Sequence, residues 1–459
     1  MIESFINIAY YVSTALTLSL LLLPSQYDHK QRKERAPTDP KTSVQILVLG
    51  DIGRSPRMQY HALSIARGGG RVEIIGYQES EVHPDIVSDS RISIVALPPH
   101  PSILQTSNKL LFLAFGPLKV LFQVICLWWT LCYRTKPVKW LLVQNPPSIP
   151  SLAIASVTCS LRNTDLVIDW HNFGYSILAL KLGDNHPLVR FSKWYEKTFC
   201  RYATAHLCVT KAMASVLKNE FGLKAPILPL HDRPARHLQP IEDENARQEF
   251  LLSLPEASSV QPLIKSKELR VLVSSTSWTP DEDFSLLIDA LCRYSEIATS
   301  SKPHLPTVLA IITGKGPQKE MYLKQISQLE EAGKLHKVTI RTAWLSTTGY
   351  ARLLASTSLG VSLHTSSSGV DLPMKVVDMF GAGLPVVGWN RFEAWPELVT
   401  EGVNGRGFGS SSELVEQLVD LFENPGNLEN LKAGARKEST RRWEDEWDPV
   451  AGKLFGLTS

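Results

Sequence analysis

No asparagine in the 459 residues sits in an Asn-x-Ser/Thr acceptor site. A chain of this length facing a glycosylating lumen usually carries one or two, so the absence points to the cytosolic side. The six cysteines, Cys126, Cys132, Cys159, Cys200, Cys208 and Cys292, form no C-x-x-C pair and no Cys/His cluster. That spacing argues against a zinc module and for reduced, structural thiols. No metal-ligating group of residues stands out either. A net charge of only +3, without a basic–aromatic repeat, gives no nucleic-acid-binding surface.

The hydrophobic content is 44% and the charged content 20%, which are globular values, and the length suits two domains plus an accessory segment. Residues 5–24 form an uncharged apolar run of bilayer length. Glu3 precedes it, whereas Lys30, Arg32, Lys33 and Arg35 follow, which orients the rest of the chain to the cytosol. With no basic leader and no small-x-small cleavage site after Leu23, residues 1–26 read as an uncleaved anchor, and residues 27–43 as a polar linker. A second apolar stretch, residues 109–133, is interrupted by Gly116-Pro117 and Lys119. It fits a helix pair lying in the interface with Trp128 and Trp129 near the headgroups, a buried amphipathic helix, or a full span.

The rest alternates apolar strands with helical periods. Residues 44–58 read as strand, glycine loop and helix start; Gly50 and Gly53 allow a tight turn, and Ser55 and Pro56 suit N-cap and first helical position. These glycines do not form G-x-G-x-x-G, so a dinucleotide site is disfavoured. Arg54 and Arg57 beside them suit a phosphate-bearing ligand or a solvated basic face. The strand at 140–144 runs into Asn145-Pro-Pro147, and the strand at 166–170 into Asp169, His171 and Asn172. A histidine flanked by Asp and Asn at a strand's carboxyl end is a general-base candidate. Residues 239–267 are a polar helix-plus-linker, after which a second β/α series begins. The expectation is an α/β protein of two parallel-sheet, Rossmann-like domains facing a cleft, 44–238 and 268–440, with residues 441–459 packing back.

Residues 366–387 organise the second half. A loop of small polar residues, Ser366-Ser-Ser-Gly369, leads through Val370, Asp371 and Pro373 to a helix bearing Lys375 and Asp378, which Gly381 and Gly383 end. Free N–H groups at such a helix start, with Lys375 beside them, favour an anion, and Asp378 can accept hydrogen bonds from a sugar diol. An ordinary crossover with a polar loop would look the same.

Five motifs together resemble a known family: Gly50-Asp-Ile-Gly-Arg-Ser-Pro-Arg-Met58, Asp169-Trp-His-Asn-Phe-Gly-Tyr175, Ser275-Thr-Ser-Trp-Thr-Pro-Asp-Glu-Asp-Phe284, Thr313-Gly-Lys-Gly-Pro317 and Ser367-Ser-Gly-Val-Asp-Leu-Pro-Met-Lys-Val-Val-Asp378. Along its whole length the chain resembles the GT-B glycosyltransferases, and among them the β-mannosyltransferases of the dolichol-linked oligosaccharide pathway. The resemblance implies an inverting β-1,4-mannosyltransferase that moves mannose from GDP-mannose to GlcNAc2-diphosphodolichol at the cytosolic face of the endoplasmic reticulum. It implies single-pass membrane attachment and no tightly bound cofactor, a diffusible Mg²⁺ at most. The lipid bilayer and other dolichol-pathway transferases are the implied partners.

The resemblance assigns His171 as general base, with Asp51 as rival. It assigns Ser277, Trp278, Lys315, Gly316, Ser368, Gly369, Val370, Asp371, Lys375 and Asp378 to the donor. Gly50, Gly53, Arg54, Arg57, Asn145 and Asn172 fall to the acceptor or a phosphate loop. Two departures matter. The first of two glutamates that relatives place eight positions apart is here Val370, with Asp378 matching the second, and residues 275–283 lack the usual Arg and Lys. Lys315, Lys375 and the helix start at Pro373 should then meet the diphosphate. The alternatives are a retaining α-mannosyl or UDP-sugar transferase, or a non-catalytic membrane scaffold.

Overall fold

The computed structural model describes residues 23–30, 39–101, 109–279 and 282–458, with isolated positions between 7 and 17. The expected anchor at 5–24 lies largely outside these. The first domain holds seven parallel strands in the order β3-β2-β1-β4-β5-β6-β7. They are β1 (Ser43–Asp51), β2 (Arg71–Tyr77), β3 (Ile92–Ala96), β4 (Trp140–Asn145), β5 (Asp165–Trp170), β6 (Ala205–Cys208) and β7 (Ile227–Pro229). The second holds six in the order β10-β9-β8-β11-β12-β13: β8 (Leu269–Ser275), β9 (Thr307–Thr313), β10 (Val338–Ala343), β11 (Leu359–Ser362), β12 (Val386–Trp389) and β13 (Gly405–Phe408). Strands covered on both faces by crossover helices need no polar side, which is why Ile46, Leu47 and Val48 in β1 and Leu309, Ala310 and Ile311 in β9 are buried in succession. In each sheet the order reverses, between β1 and β4 and between β8 and β11, which opens a crevice at the carboxyl ends of the strands.

The helices that matter below are α1 (Pro56–Arg67), α2 (Lys109–Trp129), α3 (Ser151–Arg162), α4 (Gly174–Leu182), α5 (Pro187–Phe199), α6 (Met374–Gly381) and α7 (Trp443–Trp447). The expected polar linker at 239–267 is more ordered than its composition suggests. Helix Glu244–Ser253 and the turns after it bury Phe250, Leu254, Val260 and Ile264 in a core shared with Leu269 and Val273, so the segment packs with the second domain. The tail crosses back: Trp443, Trp447 and Phe455 join the first domain's core with Ile46, Ile65 and Trp140.

The stretch at 109–133 is one helix and not a pair. Pro117 lies inside α2, which runs on into a wide turn at Thr130–Arg134. A proline removes one backbone donor and need not end a helix whose other turns are bonded. One side, with Leu127, Leu131 and Cys132, is buried against the domain, while Leu118, Leu121, Ile125 and Trp129 form an exposed apolar stripe. Among the described residues, 115–134 is long and apolar enough to cross a membrane by length and composition.

Candidate active site

The first domain's half of the crevice is built around Asp169, the last inward residue of β5. Its carboxylate is fully buried and accepts from the Arg57 Nε–H at 2.8 Å and Nη2–H at 2.9 Å. His61 Nε2 lies 3.2 Å and His171 Nε2 2.9 Å from Oδ2. Burial alone would raise its pKa, but Arg57 above all, with His171 and His61, holds the carboxyl well below the usual range. Asp169 is therefore a fixed negative charge. The Trp447 indole N–H, which can only donate, reaches His61 Nδ1 at 2.9 Å. That puts the proton of a neutral His61 on Nε2, facing Asp169. His171 is the one partner with an accessible ring, its side chain 24% exposed. With Nε2–H held on Asp169, its Nδ1 lone pair is available to take a proton, the arrangement of an oriented general base.

The second domain's half gathers at the ends of β8, β9 and β10. Ser275, Thr313, Ala343, Trp344, Tyr350 and Lys375 line a cavity of about 220 Å³. The Lys315 ammonium sits 4.0 Å from the centroid of the exposed Trp344 ring at its mouth. Lys375, in the first turn of α6, donates to Ser277 Oγ at 3.2 Å and to Glu282. Glu282 is buried and also accepts from the Thr276 hydroxyl at 2.8 Å and from the Ser277 N–H. The Asp378 carboxyl, one turn along α6, accepts no hydrogen bond among the described residues. Burial, and then the nearby Asp232, push its carboxyl up to about 7. Its charge is felt by Tyr60 in the first domain and by Tyr350 in the second.

The halves touch beside the site. Asn172 Nδ2–H donates to Ser367 Oγ at 3.1 Å, the Thr210 hydroxyl donates to the Val370 carbonyl at 2.6 Å, and Glu397 caps a first-domain helix by accepting from the N–H groups of Lys211 and Ala212, both at 2.7 Å.

Residues 269–424 match the family model for glycosyl transferases group 1. A sucrose-phosphate synthase from Thermosynechococcus elongatus shares the fold, with a TM-score of 0.63 at 12% identity over 91% of this chain and 98% of that one. The architecture is GT-B. The chain is 42% identical to a chitobiosyldiphosphodolichol β-mannosyltransferase of Yarrowia lipolytica, over 96% of its own length and 92% of the relative's. It is 52% identical to the enzyme of that name from Arthroderma benhamiae, over 95% of both. The chain belongs to the chitobiosyldiphosphodolichol β-mannosyltransferases.

In this member of the family several expected ligand residues turn out to support the site. Arg57 is buried with four of its five N–H donors engaged, on Asp169, on Asp232 at 2.7 Å and on the Leu230 carbonyl at 3.0 Å, so it orients the base and meets no phosphate. Asn145 is fully buried, its amide reaching Glu196 at 3.2 Å, and does not face a ligand. Trp278 is also fully buried, its ring tilted against that of Phe284 at 4.7 Å and its N–H on the Gly314 carbonyl, and cannot lie on a donor. Asp51 accepts from the backbone of Gly53, Glu79 and Ser80 at 3.1–3.3 Å, tying down the loop at 79–81. Burial opposes its charge, yet these bonds keep its carboxyl below its usual value, which suits a staple better than a base.

Asp371 is likewise engaged inside its loop, with His364 at 3.0 Å and with Ser366, and Val370 is buried in the core. Gly53 and Gly316 serve close approach: a Cβ would lie 2.5 Å from the Glu81 carbonyl oxygen and 1.7 Å from that of Ser277. A Cβ at Gly50 would meet only Val48 Cγ1, at 4.0 Å, and Gly369 has a φ of +74° in an open loop beside Ser368. Arg54 alone of the basic pair is exposed, at 79%. Glu282, His61 and Trp447 were not singled out in the sequence. Glu282 carries no local signal beyond the neighbouring Asp281 and Asp283, and the partners of the other two lie more than 100 residues away.

Proposed function

We propose that this enzyme transfers mannose from GDP-mannose to the terminal GlcNAc of GlcNAc2-diphosphodolichol, forming a β-1,4 linkage with inversion. The observation that supports this best is the Asp169–His171 dyad, open on Nδ1, beside the loop and helix start at 366–375. The acceptor hydroxyl gives its proton to His171 Nδ1 as its oxygen bonds to mannose C1. The bond from C1 to the GDP phosphate oxygen breaks on the opposite face, and GDP leaves with that electron pair. Asp169 stabilises the imidazolium that forms.

On the donor side the guanine lies in the cavity against Trp344, and Asp378 accepts from the ribose hydroxyls. Lys315, Lys375 and the N–H groups of the first turn of α6 meet the diphosphate. Because Lys375 is already paired with Glu282, Lys315 and the helix start take more of that charge than Lys375 does. Any Mg²⁺ is a diffusible ion that arrives with the diphosphate. Residues 5–24 anchor the chain in the endoplasmic reticulum membrane, and both domains work on its cytosolic side.

Purified full chain, GDP-mannose and a chitobiose-diphosphate-phytanyl acceptor should give a trisaccharide whose new residue is released by β-mannosidase. An α-linked product or preference for a UDP-sugar would replace this reading with the corresponding transferase, and no product at all would favour a scaffold.

A further inference from the structure

Glu196 is a buried carboxylate to which the transfer chemistry gives no part. It lies on α5, is fully enclosed, and has no lysine or arginine partner among the described residues. An interior carboxylate without a countercharge opposes folding, and an apolar residue of similar volume is often as stable in such a place. Burial raises its pKa, against the hydrogen bonds from Gly174 and Asn145 that favour its charged form. What this costly group holds is the loop that carries His171.

Glu196 Oε1 accepts from the Gly174 N–H at 2.8 Å and from Asn145 Nδ2–H at 3.2 Å. Asn145 ends β4 and Gly174 opens α4, so one oxygen joins the two segments that flank the base. The His171 N–H in turn donates to the Asn145 carbonyl at 2.9 Å. The fit leaves no slack, because a Cβ at Gly174 would lie 2.9 Å from Ser148 Oγ and 3.1 Å from Glu196 Oε1. Helix α5 is itself seated on the start of α3: the Tyr195 hydroxyl donates to the Pro150 carbonyl at 3.1 Å and accepts from the Ala153 N–H at 3.2 Å. The same loop reaches across the crevice. Asn172 Oδ1 accepts from the Phe173 N–H at 2.8 Å, which turns Nδ2 toward Ser367.

We propose that Glu196 is a positioning residue for the transfer: by holding Gly174 and Asn145 on one oxygen, it fixes where the loop at 171–174 presents His171 to the acceptor and Asn172 to the donor half. Two buried carboxylates then divide the task. Asp169 orients the imidazole through Nε2, and Glu196 fixes the backbone that carries it. Neither touches substrate. A loop released from Glu196 would shift the Nδ1 lone pair from its place beside the reacting hydroxyl, and displacements of about 1 Å are enough to slow such a step. This inference rests on the proposed role of His171 as base.

The test is a double-mutant cycle on the full chain, with GDP-mannose and the chitobiose-diphosphate-phytanyl acceptor. Glu196→Ala removes the shared oxygen, whereas Glu196→Gln keeps an acceptor in its place. With His171 present, Glu196→Ala should lower kcat about 10–100-fold, the scale of a misplaced reacting group, with the KM for donor and the affinity for GDP unchanged. Glu196→Gln should recover most of that loss. In a His171→Ala background, Glu196→Ala should change the rate by about twofold at most, because the group it positions is gone. Where Glu196→Ala does not fold, Gly174→Ala carries the test, since its Cβ crowds the same oxygen, and the same pattern is expected. Equal losses with and without His171 would overturn the proposal, as would a glutamine variant no better than the alanine one. A His171→Ala rate near wild type would instead overturn the base assignment, and this proposal with it.

Discussion

At about pH 7 the Asp378 carboxyl is half ionised, because burial and the nearby Asp232 oppose its charge. Its folded value lies above the ordinary 3.8, so the native state holds a proton that the unfolded chain would release. The contribution to stability is therefore full below pH 4 and is lost as the pH rises toward 7. Asp378→Asn should match the wild type in urea unfolding at pH 4 and exceed it at pH 8, by about 1–2 kcal/mol after solvent screening. Ligand binding should run the other way. With the proposed donor placement, in which the ionised carboxylate accepts from the ribose hydroxyls, GDP affinity should rise through pH 7 in the wild type and stay flat in Asp378→Asn, as titration calorimetry would show. Asp169 calls for a different expectation. Asp169→Asn leaves Arg57 buried with half of its charge balance gone, and should lower unfolding stability by about 3–5 kcal/mol, a folding defect ahead of any catalytic one.

At the scale of elements, the tail helix α7 reaches His171 through a relay, from Trp447 to His61, from His61 to Asp169 and from Asp169 to His171. Trp447→Phe keeps the ring packing but leaves His61 Nδ1 a buried acceptor without a donor, costing about 1–3 kcal/mol. It also frees the His61 proton to change nitrogen. Steady-state kinetics should show kcat reduced several-fold with the KM for donor nearly unchanged, together with a shifted pH profile; a change in stability alone would leave the tail as packing only. The strands and the helix at 374–381 were legible because buried parallel strands read as aliphatic runs and because proline and glycine punctuate α6. What was illegible depends on long-range pairs. Arg57 resembles a phosphate ligand until Asp169, 112 positions later, is seen to bury it. Trp278 resembles a stacking platform until Phe284 and Tyr322 enclose it. Pro117 reads as a break because local propensity is silent about the α3 surface that supports α2.

For the whole molecule, twin sheets with a crevice followed from the alternation of strands and helices, and the candidate base His171 was marked by its place at a strand's carboxyl end. The bonds across the crevice did not: Asn172–Ser367, Thr210–Val370 and the Glu397 cap join the domains beside the site. His171, held by Asp169, is expected to take the acceptor's proton in this cleft. The most direct measurement is the single-turnover rate of His171→Ala with GDP-mannose and the phytanyl-linked chitobiose acceptor, alongside its affinity for GDP. The account predicts a rate lower by about 10²–10⁴-fold with GDP affinity unchanged. A rate within a few-fold of wild type would contradict it.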